Sequence, residues 1–234
     1  MVHPMWDKIS HYFYLLLQAT PTTLELTIFG FGLGAVLGLP LAFARVYGGK
    51  VLSRSVDGYE KIFRSIPLIV LIFMFYFALL PPLFDDPFLS YLSVILPIGL
   101  TSSAFQSQIF RSAIEAVSGQ QMIAGLSLGM TKLQVMRHVI FPQMFFLALP
   151  GWVNEYANQL KDTSWAYTIG IPELMRWADY IRASEQKAGM ITSPFDLVLP
   201  YLIASIIYFA LTYPVSKALS EWGMKKKKLM GYSR

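Results

Sequence analysis

No cysteine occurs in the 234 residues, which excludes disulfides and thiolate metal sites. Histidine is nearly as scarce. His3, His11 and His138 are too few and too scattered for a histidine-rich metal site or a histidine-based membrane protease. Charge is thin as well: 14% of residues are Asp, Glu, Lys or Arg, against about 25% in a soluble domain. No Gly-rich phosphate loop ending in Lys-Ser or Lys-Thr is present, so the chain is expected to bind no nucleotide of its own. The first residues hold Asp7 and two histidines, with no basic start and no small-residue cleavage site. No cleavable signal peptide is expected.

What the chain has instead is apolar length. Hydrophobic residues make up 55% of it. Five stretches approach the roughly 20 apolar residues that a bilayer requires: 22–46, 62–80, 88–110, 139–160 and 195–219. The fold class that follows is an all-α integral membrane protein, read as one transmembrane domain over residues 1–234. The last stretch carries a start signal: Ser193 caps, Pro194 takes the first helical position, and Asp196 follows three after the cap. Ahead of the first stretch, residues 4–19 form an amphipathic piece whose Trp6, Tyr12, Phe13 and Tyr14 suit a membrane interface. Gly30, Gly34 and Gly38 give two small-xxx-small spacings and, with Gly32, predict close helix packing.

Five spans put the termini on opposite sides, and basic residues choose the orientation. With the N-terminus outside, 14 of the 19 Lys and Arg fall on inner segments, among them Arg45, Lys50, Arg54, Lys61, Arg64, Arg111, Lys132 and Arg137. The C-terminal Lys225, Lys226, Lys227, Lys228 and Arg234 are inside too, while Asp85, Asp86 and Glu173 fall outside. The net charge of +5 therefore records topology rather than nucleic-acid binding. Residues 111–138 become cytoplasmic. Residues 161–194, rich in Trp and Tyr, are expected to fold as short helices on the outer face.

Residues 119–143 stand out as a polar-edged insert between apolar stretches. Met122, Ile123 and Leu126 recur at helical spacing, Gly129 interrupts, and Thr131 with Gln134 has the form of a capping box. The pattern predicts a helix, a glycine turn and a second helix, closed by Pro142. Polar residues within spans are costly and commonly functional or paired. Candidates for a substrate pathway are Ser102, Ser103, Gln106 and Gln108 in the third stretch, and Asn154, Glu155 and Asn158 in the fourth. Hydrogen bonding between helices is the competing role for each of them.

The insert resembles the signature of permease subunits of ATP-binding cassette importers: Glu-Ala-Ala, three residues, Gly, nine residues, then Ile-x-Leu-Pro. Ile123-Ala124-Gly125, Gly129 and Val139-Ile-Phe141-Pro142 stand at those spacings. Further elements are similar to the polar amino acid uptake branch. They are Arg64-Ser-Ile-Pro67-Leu68, Ala104-Phe-Gln-Ser-Gln108-Ile-Phe-Arg111, Pro142-Gln143, Asn154, Lys161-Asp162-Thr163-Ser164, Ile169-Gly170 and Glu173-Leu174. The likeness runs over residues 15–222. The chain departs from it at Ile123, where the signature has Glu, at Gly125 for the second Ala, at Gln108 for Glu, and at Leu71 for Gln.

The resemblance implies a type I importer permease fold with five transmembrane helices, N-terminus out, C-terminus in. It implies a coupling segment at 119–138 in which Met122, Ile123, Ala124, Gly125, Leu126 and Gly129 meet a cytosolic ATPase. The implied partners are two ATPase subunits, a second permease subunit (identical or homologous), an extracellular or periplasmic solute-binding protein, and the lipid bilayer. The amino acid would pass between permease subunits, with Glu155 facing a cationic group. ATP and Mg would sit on the ATPase, leaving this chain no cofactor, no metal and no catalysis of its own. The implied location is the cytoplasmic membrane of a prokaryote. A secondary amino acid transporter, a membrane enzyme and a non-transporting scaffold for an ATPase are the alternatives. No internal repeat and no Ser/His or metal constellation supports the first two.

Overall fold

The computed structural model describes residues 5–81, 88–191 and 193–229, and these are helical almost throughout. The order is α1 (Met5–Tyr47), α2 (Lys50–Ser65), α3 (Leu68–Met74), α4 (Leu89–Ser127), α5 (Lys132–Val135), α6 (Phe141–Asp162), α7 (Leu174–Lys187) and α8 (Pro194–Leu229). A π turn follows α3 at Phe75–Leu79, another joins α5 to α6 at Met136–Ile140, and a 3-10 segment fills Thr163–Ile169. Both π turns stand just ahead of a proline, Pro81 and Pro142. Proline has no N–H to return to the preceding turn, and a wider turn accommodates the gap. Of the residues assigned a side by charge, Asp85, Asp86 and Arg234 lie outside the described residues, as does His3.

The helices redraw several expected boundaries. The amphipathic start and the first span form one uninterrupted helix, α1. The second span is broken. Ile66, held extended at φ −82° and ψ 128° by the following Pro67, ends α2 near the start of the expected stretch. The third span does not stop near residue 110, because α4 stays helical to Ser127 and includes the first half of the insert. Among the described residues three helices are long and apolar enough to cross a membrane: α1, residues 89–117 of α4, and residues 194–226 of α8. A fourth arises if α2 and the α3 segment count as one bent span. The expected fourth span, now α6, is not among them, because Asn154, Glu155, Asn158 and Gln159 dilute its apolar character. The start of α8 matches expectation: Pro194 opens it, and the Asp196 carboxylate accepts the Ser193 backbone N–H at 2.9 Å.

The residues gather into two compact units. The first comprises Met1–Gly30, Leu68–Ile98 and Asn158–Pro214. Its core joins Tyr12, Leu16 and Ala19 of α1 to Leu174, Ala178 and Ile181 of α7 and to Leu199, Ile203 and Ile207 of α8. Tyr12 is thus a core residue, whereas Trp6, Phe13 and Tyr14 are exposed as an interface requires. The 3-10 segment and α7 supply the short helices expected over residues 161–194.

Glu173 caps α7 from a fully buried position. Its carboxylate accepts the Met175 and Arg176 backbone N–H groups and the Tyr208 hydroxyl. Burial outweighs these donors and pushes its pKa up from 4.5 to about 7. A carboxyl whose folded pKa exceeds its unfolded one stabilises fully below the unfolded value and loses that contribution as pH rises through the folded value. Thermal stability in detergent is therefore expected to fall between pH 5 and pH 8, by up to roughly 3 kcal/mol. Glu173→Gln flattens that slope.

The second unit comprises Phe31–Pro67, Gly99–Ala157 and Val215–Arg234. Its core sets Ala42 of α1 and Phe110, Ala113, Ile114 and Val117 of α4 against Val135, Ile140, Met144 and Ala148. In lipid, apolar burial gives helices little reason to associate, so close packing and hydrogen bonds carry the contact. The glycines of α1 do this. A Cβ on Gly38 would stand 2.9 Å from the Ser103 carbonyl oxygen and 3.1 Å from the Ser107 nitrogen, backbone atoms that cannot swing aside. Gly32 meets nothing within 4 Å. Gly38→Ala is expected to cost about 1–3 kcal/mol. Gly32→Ala should be neutral or gain up to about 1 kcal/mol from helix propensity. Thermal unfolding of the two variants side by side checks the difference.

Candidate functional site

The polar interior of the second unit begins with two residues one helical turn apart on α4. Ser102 and Gln106 share a face, and both are buried. Ser102 Oγ donates to Glu155 Oε1 of α6 at 2.8 Å. Gln106 Nε2 donates to Ser102 Oγ at 3.0 Å and to the Phe31 carbonyl of α1 at 3.1 Å. Trp152 Nε1 donates to Gln106 Oε1 at 2.6 Å. The amide of Gln106 thus has both ends engaged, and α1, α4 and α6 are joined through it. Gly34 makes room: a Cβ there would fall 2.6 Å from Gln106 Nε2 and 2.8 Å from Ser102 Cβ.

Two neighbouring positions on α4 hold α2. The Tyr59 hydroxyl lies 2.6 Å from Ser103 Oγ, and Ser107 Oγ donates to Glu60 Oε1 at 2.7 Å. Two carboxylates, Glu155 and Glu60, are therefore buried in this unit, each accepting from a serine of α4. Buried acids without such donors are strongly disfavoured.

Of the seven residues proposed for a pathway, the structure brings Ser102, Gln106 and Glu155 into one network. Ser103 is buried but engaged with Tyr59 and the Leu100 carbonyl. Gln108 is half-buried, and Asn154 and Asn158 are exposed, four apart on α6. Sequence reasoning missed Trp152, Tyr59 and Glu60. Trp152 stands three before Glu155 on the same helical face, and Glu60 stands four after buried Val56. That spacing was the available signal.

The insert forms a closed turn. Gly129 adopts φ +77°, and its N–H reaches the Leu126 carbonyl at 3.0 Å while Met130 N–H reaches that of Gly125 at 3.1 Å. These two bonds are a Schellman ending for α4. The capping box then opens α5: Gln134 N–H donates to Thr131 Oγ1 at 3.3 Å, and Thr131 N–H donates to Gln134 Oε1 at 2.8 Å. Gly125 lets the two arms touch, since a Cβ there would lie 2.5 Å from Val135 Cγ2. Gly125 therefore faces the turn's own interior, and Met122 packs beside it on the unit's core. Ile123, Ala124 and Leu126 face outward, joined by Leu128 and Leu133, which the sequence pattern did not single out. Ile123, Leu128 and Leu133 are each about 70–80% exposed, more apolar surface than a short polar connector presents by chance.

Long apolar helices, glycine-mediated contacts and a polar network across three of them define a helical membrane protein. The chain belongs to the family of binding-protein-dependent transport system inner membrane components, whose pattern covers residues 30–219. It is thus a multi-pass protein of the inner membrane. It is 32% identical, over 94% of its length and 96% of the relative's, to the "Probable amino-acid permease protein YxeN" of Bacillus subtilis (strain 168). It is 30% identical, over 86% of its length and 91% of the relative's, to the glutamine transport system permease protein GlnP of Escherichia coli (strain K12). Its structure resembles a chain in the crystal structure of an amino acid ABC transporter with histidines. That match has a TM-score of 0.79 at 29% identity and covers 96% of this chain and all of the other.

Proposed function

We propose that this chain is the membrane-spanning permease subunit of an ATP-driven importer of polar amino acids. The match to the inner membrane component family over residues 30–219 carries the reading, and the amino-acid permease names of its relatives support the cargo. Substrate arrives from an external binding protein and passes between two permease subunits. Two cytosolic ATPase subunits hold ATP and Mg and supply the energy. The chain crosses the bilayer five times, with a second crossing over residues 62–80 that starts at the end of α2 and is broken at Pro67, and with α6 a polar fourth. Its N-terminus is outside and its C-terminus inside.

Each part of the site then has a task. The exposed apolar residues Ile123, Leu126, Leu128 and Leu133 seat in a groove of the ATPase, replacing the polar contact that a Glu at 123 would give. The Gly129 turn and capping box keep that surface rigid, so that motion of the ATPase is transmitted rather than absorbed. ATP must favour one orientation of the permease over the other for any shift to occur. Glu155, held by Ser102, presents negative charge within the unit and pairs with the ammonium of the cargo, while Asn154 and Asn158 give polar contacts further along α6.

An ATPase assay tests the division of labour. The purified chain alone should hydrolyse no ATP, and the assembled complex should hydrolyse it faster when amino-acid-loaded binding protein is added. Hydrolysis by the isolated chain, or no response to loaded binding protein, contradicts the reading.

A further inference from the structure

Helix α2 presents three faces of different chemistry. One is buried, with Val56 and Glu60 turned to the protein and Glu60 bonded to Ser107 of α4. A second is exposed and cationic. Lys50, Arg54 and Lys61 recur at spacings of four and seven and so form one strip. The third, directly beside that strip, is exposed and apolar: Val51 is 82% and Ile62 55% accessible. Asp57 beside the cations is shared between Arg45 and Lys61, so the strip keeps a net positive charge.

We propose that α2 is an interfacial helix that binds anionic phospholipid, with Lys50, Arg54 and Lys61 on the headgroup phosphates and Val51 and Ile62 in the adjoining acyl region. Neither alternative environment suits both faces. Water leaves two large aliphatic side chains open, and the acyl core leaves three cations unsolvated. The boundary between them satisfies both. Charge complementarity selects an anionic lipid over a second copy of the chain. A copy meeting this strip about a two-fold axis would oppose the same cations to one another. Because α2 is bonded to α4 through Tyr59 and Glu60, a lipid held here bears on a helix tied directly to the one that carries Ser102, Gln106 and the first half of the insert.

The absence of native cysteine allows a site-specific test. Ile62→Cys in the full chain takes an environment-sensitive fluorophore, and the protein is placed in bilayers containing brominated phosphatidylglycerol or brominated phosphatidylcholine. The label should be quenched by the anionic lipid at roughly tenfold lower mole fraction. K50Q/R54Q/K61Q should bring the two lipids together, and K50R/K61R should keep the preference. Should the triple variant fail to enter the membrane, R54Q alone decides, with a loss of several-fold expected. Equal quenching in the parent protein, or a preference that survives neutralisation, overturns the proposal. So does the absence of quenching by either lipid, the result for a face covered by protein. The readout is independent of transport, so it stands or falls apart from the proposed function.

Discussion

Gly129→Pro is expected to reduce ATP-driven uptake by more than about tenfold while the protein still enters the membrane and the assembled complex still hydrolyses ATP. The cause is local. Gly129 sits at φ +77°, and its N–H closes the turn on Leu126. Proline is fixed near φ −65° and has no N–H, so both features are lost, at a cost of about 3 kcal/mol. Space is not involved, because a Cβ at 129 would meet nothing within 4 Å. The effect should therefore rank by backbone preference alone. Asn, which tolerates the left-handed region, stays close to the parent. Ala loses about 1–2 kcal/mol of turn stability and is intermediate. Uptake and hydrolysis measured on the same preparations separate uncoupling from loss of protein.

The second large effect is at Glu155. Glu155→Gln keeps the shape and leaves an acceptor for Ser102 Oγ, removing only the charge. If that charge meets the ammonium of the cargo, the apparent KM for uptake rises by about tenfold to a hundredfold, the range for a lost hydrogen bond to a charged group. Thermal stability should hardly change. If Glu155 only ties α4 to α6, Gln transports normally, and Glu155→Leu loses stability instead. The split between KM and stability decides between the two roles.

Local signals were the most legible part of the sequence. The Thr131 and Gln134 capping box, the Gly129 turn and the Pro194 start with Asp196 bonded back to Ser193 N–H all depend on neighbours within a few residues, and all three are present, although Ser193 Oγ donates to Asp196 rather than capping the helix. Gly34 and Gly38 were readable as packing sites because small-residue spacing survives in one dimension. The failures came from length and from the third dimension. Hydropathy divided α4 at residue 110, although nothing in the sequence breaks the helix before Leu128 and Gly129. Pro67 was visible but lay inside an apolar run, and the run concealed the break.

The site divides in the same way. Ser102 and Gln106 were paired correctly because they are four apart on one helix. Their links to Glu155, Trp152 and Phe31 join residues far apart in the chain, beyond the reach of any periodicity. Asn154 resembles Glu155 in polarity, yet one position on α6 turns it about 100° and leaves it exposed. Gly125 and Ile123, two positions apart in the insert, divide likewise, one toward Val135 and one outward.

The central claim is that an ATPase on other subunits drives amino acid through this permease. Uptake of labelled amino acid into sealed vesicles tests it most directly, with the chain, its ATPase and its binding protein reconstituted and ATP supplied on the ATPase side. The account predicts accumulation that requires ATP, the ATPase and the loaded binding protein together. Accumulation driven by an ion gradient in the absence of ATP, or no accumulation with every component present, would contradict it.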